Sequence, residues 1–71
     1  MTTVEIFKTN VCEPRTGQRL IKKLLRHYPE ARINFDLEDC DRVLRVEGRL
    51  LSSEQIAATL QNEGFECEVL N

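Results

Sequence analysis

The stretch ARINFDLEDCDRVLRVEG, residues 31–48, decides the fold because it contains the clearest strand pattern in the chain. Three apolar residues in its first half alternate with polar ones, namely Ile33, Phe35 and Leu37. This period of two is typical of a strand with one buried face. The polar cluster at 38–41 predicts a turn, and residues 42–48 predict a second strand that turns Leu44 and Val46 inward. Together the two strands predict an antiparallel hairpin.

Upstream of the hairpin, the sequence predicts one strand and one helix. Residues 3–8 combine β-branched and aromatic side chains, and we expect a strand whose Val4 and Ile6 face the core. Pro14 suits the first turn of a helix, which should end near Tyr28 because the proline that follows disfavours helical backbone before it. The apolar side chains of this helix recur at spacings of three and four and form one stripe: Leu20, Ile21, Leu24, Leu25 and Tyr28.

Downstream of the hairpin, the pattern repeats as a helix followed by a strand. Ser52 and Gln55 have the spacing of a capping box, in which each side chain binds a backbone N–H of the other residue, so a helix should begin near Ser53. Gly64 suits the left-handed backbone that ends many helices. The segment FECEVL, residues 65–70, alternates again and predicts the last strand.

The element order is therefore β-α-β-β-α-β, the split βαβ arrangement of a ferredoxin-like fold. We expect an α+β sandwich in which two helices cover one face of a four-stranded antiparallel sheet. A length of 71 residues fits one such domain, spanning residues 1–71. The composition, 41% hydrophobic and 31% charged, is that of an ordinary folded domain and excludes the disordered class.

Targeting and redox signals in the chain indicate a cytoplasmic protein. No apolar run approaches the roughly 20 residues that span a bilayer, so we expect no membrane insertion. The first ten residues lack the basic segment and apolar core of a secretory signal. Three cysteines at irregular spacing predict free thiols rather than a disulfide framework.

The segment NVCEPR, residues 10–15, carries a resemblance to a known family. With the element order and the ending GFECEVL, the chain resembles a heavy-metal-associated domain of the copper-chaperone type. That family holds Cu(I) or another soft ion on the two thiolates of an M-x-C-x-x-C motif. The resemblance implies that Cys12 is the first ligand, but Arg15 stands at the second ligand position and Asn10 replaces the methionine. A protonated guanidinium has no lone pair to donate, so the paired-cysteine site is incomplete.

Two hypotheses follow from this incomplete motif. The first is a small non-enzymatic interaction or accessory module on a metallochaperone-like scaffold that has lost paired-cysteine metal binding. The alternative is binding or transfer of a soft metal ion, such as Cu(I), through Cys12 and a second thiolate from Cys40 or from another chain. We expect the loops that carry Cys12 and Cys40 to share one end of the sheet, and Cys67 to be a small core residue.

The charge distribution points to a protein partner with an acidic surface. Five basic residues crowd the first helix, namely Arg15, Arg19, Lys22, Lys23 and Arg26. In metallochaperones, which this chain resembles, the equivalent surface docks such a partner. A net charge of −2 is a poor match to a nucleic-acid binder, and we expect no nucleic-acid binding. No nucleophile with a base, carboxylate pair or phosphate-binding glycine loop is evident, so we expect no enzymatic activity.

The uncovered face of the sheet is a second candidate surface. We expect Phe7, Val43 and Leu70 to lie there, as a patch for a partner or for a second copy of the chain. The corresponding expectation for the oligomeric state is a monomer or a weak homodimer. Phe7 is also the only aromatic side chain placed to stack on a base, as RNA-recognition domains of this topology do.

Overall fold

A computed structural model describes residues 1–37 and 42–70, and in these ranges it contains four strands and two helices. The elements are β1 (Thr3–Thr9), α1 (Pro14–His27), β2 (Arg32–Asp36), β3 (Val43–Gly48), α2 (Ser53–Asn62) and β4 (Cys67–Val69). The strands form one sheet in the order β2-β3-β1-β4, and every neighbouring pair is antiparallel. This topology confirms the predicted ferredoxin-like α+β fold.

The core lies between one face of the sheet and the two helices. Its fully buried side chains are Phe7, Val11, Leu20, Leu24, Leu44, Val46, Ile56 and Leu60. The β2–β3 pairing places Ile33 opposite Val46 and Phe35 opposite Leu44, so the inward face of the hairpin is as predicted. The turn predicted at 38–41 lies outside the described residues.

The prediction for β1 was wrong about which face is buried. Phe7 pairs with the buried Leu44 and is itself 0% exposed, whereas Ile6 pairs with the exposed Arg45. Opposed residues of neighbouring strands share a face, so Ile6 and Val4 lie on the open side of the sheet. The whole ring of Phe7 is thereby removed from water, whereas Val4 and Ile6 are only partly covered.

The helix α1 begins at Pro14 and its C-cap is Tyr28, as the sequence predicts. Gly17 lies on its buried face, where a Cβ atom would be 3.1 Å from Cδ2 of Phe35. Glycine is unfavourable inside a helix by about 1 kcal/mol relative to alanine, and the close approach of this ring explains its presence.

The helix α2 begins as predicted, but its capping box is only half formed. The Ser52 hydroxyl accepts the N–H of Gln55 at 3.2 Å. The N–H of Ser52 donates instead to the hydroxyl of Tyr28, at 3.2 Å, and that hydroxyl donates to Oε1 of Gln55, at 2.7 Å. Tyr28 therefore supplies the second half of the cap and joins the end of α1 to the start of α2.

Candidate functional site

The loop that carries Cys12 lies at the end of the sheet where β1 ends and where β3 and β4 begin. β1 reaches this end at Lys8 and Thr9, which pair with Val43 at the start of β3 and with Cys67 at the start of β4. The connection from β1 to α1, the start of β3 and the turn before β4 are therefore neighbours. The β1–α1 loop and the turn before β4 therefore lie at the same end of the sheet, as predicted, whereas the hairpin turn lies outside the described residues.

The side chains of Thr9 and Asn10 hold this loop against neighbouring segments of the chain through hydrogen bonds. The Thr9 hydroxyl donates to the carbonyl of Arg42 at 2.6 Å and accepts the N–H of Val11 at 3.3 Å. Oδ1 of Asn10 accepts the N–H of Glu66 at 2.8 Å. The role of Thr9 was not predicted from the sequence, because a threonine at the end of a strand is only a weak signal of such hydrogen bonds. Asn10 thus fastens the loop to the turn before β4.

Cys12 is exposed, between the fully buried Val11 and the N-cap residue Glu13. Arg15 follows in the first turn of α1, also exposed. Cys40, the second thiol of the alternative site, lies outside the described residues. The described part of the loop therefore supplies one thiol where a paired site takes two, and these residues do not fit a two-thiolate centre. Within residues 1–37 and 42–70, no three histidine, cysteine or acidic side chains group as a metal site.

Cys67 is a core residue, as predicted. It begins β4, is 7% exposed and belongs to the hydrophobic cluster. Desolvation by burial raises the pKa of Cys67 to about 11, which keeps the thiol protonated at neutral pH. Because the thiolate is both the metal ligand and the nucleophile, this cysteine is poorly suited to either role.

The basic run of α1 divides into two groups. Arg19 binds Oε1 of Glu63 at 2.8 Å, and Lys23 binds Oε2 of the same carboxylate. The hydrogen bond from Lys23, with that from Arg19 and the two positive charges, lowers the pKa of Glu63. Two of the five predicted docking residues are thus engaged with the end of α2, a contact that sequence reasoning missed.

The other three basic residues, Arg15, Lys22 and Arg26, are exposed and make no ion pair within the described residues. At about 100° per residue they fall within a narrow arc of the helix, on the side opposite the buried Leu20 and Leu24. We name these three residues the cation row. These three residues are the part of the predicted docking surface that makes no ion pair within the described ranges.

The open face of the sheet differs from its prediction in one residue that matters. Val43 and Leu70 lie there, joined by Val4 and Ile6, but Phe7 is buried in the core. Its ring therefore offers no stacking platform for a base, and of the two features shared with RNA-recognition domains only the element order remains.

Comparisons of the chain with protein-family models, with curated proteins and with solved structures found no match. Neither of the helices in the described ranges is long and apolar enough to cross a membrane.

Proposed function

We propose that this chain is a non-enzymatic interaction module on a metallochaperone-like scaffold, and that the cation row docks an acidic surface of a partner protein. The observation that carries the proposal is the division of the basic run. Arg19 and Lys23 are engaged with Glu63, whereas Arg15, Lys22 and Arg26 point away from the core with no ion pair among the described residues.

The shape of the cation row supports an extended acidic surface rather than a single small anion. Arg15 and Arg26 are eleven positions apart, which at 1.5 Å per residue is about 16 Å along the helix. Lys22 lies between them on the same face. A row of this length matches a helix or strand that carries several carboxylates. Charges at the edge of an interface increase the rate of docking and help to orient the partner.

The Cys12 loop supports the loss of paired-cysteine metal binding. Asn10 and Thr9 bind backbone groups of Glu66, Arg42 and Val11, so both side chains serve the loop itself. Arg15 occupies the second ligand position and has no lone pair. We infer that the loop is a structural support for the start of α1.

The docking proposal is tested with poly-glutamate peptide as the acidic probe and with backbone amide chemical shifts as the readout. We expect shift changes along the cation row, and a dissociation constant that rises about tenfold when Arg15, Lys22 and Arg26 are all changed to Gln. The matched control changes Lys8, Arg32 and Arg45 to Gln, which removes the same charge from other surfaces. Equal weakening by both triple variants would show that only net charge matters and would refute the docking surface.

The exposure of Cys12 favours one alternative function, which is soft-metal binding through this thiol. The second thiolate would come from Cys40 or from Cys12 of another copy. In that case Cys12→Ser abolishes Cu(I) binding, or abolishes a dimer that forms only when Cu(I) is present.

A further inference from the structure

A groove of about 660 Å³ lies at the end of the sheet opposite the Cys12 loop. The loop between α1 and β2 forms one wall, with Glu30, and the loop between β3 and α2 forms the other, with Arg49 and Leu50. The cation row does not line this groove, so binding in the groove is independent of docking at the row.

Leu50 is unfavourably placed for an isolated chain in two respects. Its side chain is 95% exposed, which leaves a large apolar group in water. Its backbone is also left-handed, with φ at 54°, where the Cβ of an L residue crowds the following carbonyl. Single exposed apolar residues are common, but one that is also held in an unfavourable backbone conformation beside a groove indicates a contact with another molecule.

The groove is lined by equal numbers of positive and negative side chains. They are two arginines and two glutamates: Arg32, Arg49, Glu30 and Glu47. None of the four makes an ion pair within residues 1–37 and 42–70. Arg32 and Glu47 are directly opposed in the β2–β3 pairing, so each has a neighbour of opposite sign in its own chain. Glu30 and Arg49 lie on opposite walls of the groove. A twofold rotation can place the negative wall of one copy over the positive wall of the other, whereas an acidic or a basic partner would match only one wall.

We propose that a second copy of this chain occupies the groove, in a twofold-symmetric dimer in which Leu50 of each copy inserts into the groove of the other. The twofold axis runs between the two loops that form the walls. This orientation places the α1–β2 loop of each copy over the β3–α2 loop of the other copy. The dimer therefore contains two contacts between Glu30 and Arg49. The contact buries both leucines and pairs the charges, and the small area makes the dimer weak and reversible.

Sedimentation equilibrium from micromolar to millimolar protein tests the dimer. We expect a reversible monomer–dimer equilibrium whose dissociation constant rises at least about tenfold in Leu50→Gly, a variant that keeps the left-handed backbone and removes the side chain. Leu70→Ser, at an exposed leucine on the open sheet face, is the control and should leave the constant unchanged. A parent protein that remains monomeric at millimolar concentration, or a Leu50→Gly dimer as tight as the parent's, would overturn the proposal.

Charge reversal tests the orientation. Arg49→Glu and Glu30→Arg should each prevent dimerisation, because each homodimer would contain like charges in both contacts. A mixture of the two variants restores both pairs and should form a heterodimer with an affinity near that of the parent. Circular dichroism of each variant checks that it is folded, and a failure of the folded variants to associate when mixed contradicts the proposed axis.

Discussion

The hydroxyl of Thr9 donates a hydrogen bond of 2.6 Å to the backbone carbonyl of Arg42, a residue 33 positions away with a φ of 48°. The same oxygen accepts the N–H of Val11. One buried side chain therefore joins the end of β1 to the start of β3 and to the first residues of the Cys12 loop. The left-handed backbone of Arg42 is unfavourable by itself, and this bond is one of the contacts that oppose the cost.

Thr9→Val should lower the free energy of unfolding by about 1–2 kcal/mol, because it keeps the shape of the side chain and leaves two backbone groups without their partner. Chemical denaturation measures the change. Thr3→Val is the control, since its hydroxyl is exposed and its bond to the Gly48 carbonyl is long, at 3.4 Å. An equal loss of stability in both variants would contradict the role assigned to Thr9.

Glu63→Gln should be destabilising at neutral pH and progressively less so in acid. The pKa of Glu63 is lowered in the folded chain, so its carboxylate contributes stability above the ordinary value of 4.5, and this contribution is lost as pH falls through the lowered pKa. Parent and variant should therefore converge in stability below pH 4.5. Glu68→Gln, at an exposed carboxylate with no ion pair among the described residues, should show no such convergence.

Cys67 should make the protein less stable at alkaline pH. The folded chain holds the pKa of this thiol at about 11 instead of 9.0, so between these values the unfolded chain binds fewer protons and unfolding becomes easier as pH rises. The slope from this group is at most about 1.4 kcal/mol per pH unit. Cys67→Ala should remove this part of the decline, measured by denaturation from pH 8 upward, while Cys12→Ala should retain it.

Leu50→Gly should stabilise the monomer even though it weakens the dimer. Relief of a left-handed L residue is worth about 1–2 kcal/mol, and the added freedom of glycine in the unfolded chain offsets about 0.4–1 kcal/mol of it. Thermal unfolding at micromolar protein, where the monomer predominates, should therefore show a melting temperature a few degrees higher. A lower melting temperature would mean that the Leu50 side chain supports its own chain.

Most of the fold follows from local patterns in the sequence. The hairpin residues 31–48 alternate cleanly, and Pro14 and Ser52 mark the starts of the two helices, so the element order could be derived without the structure. The side of β1 that faces the core could not be derived from the sequence, because apolar residues occupy both sides of this strand. The pairing of Phe7 with Leu44 decides between them, and such a pairing is set by the whole sheet.

The candidate sites were predictable only in part, since their decisive contacts join distant segments. The basic run of α1 is visible in the sequence, but the ion pairs of Arg19 and Lys23 depend on Glu63, which is 44 and 40 positions away. The incomplete thiol motif is visible too, whereas the use of Asn10 to bind Glu66 spans 56 positions. The left-handed backbone of Leu50 has no signal in the residue type, because leucine rarely adopts it.

We propose that the Cys12 loop serves as a support and that the chain docks a protein instead of binding a soft metal. Titration of the fully reduced protein with Cu(I), in competition with a chromogenic chelator, tests it most directly. We expect no stoichiometric binding by the monomer and the same titration curve for Cys12→Ser. Stoichiometric binding at sub-micromolar affinity by the parent protein, lost in Cys12→Ser, would contradict the account.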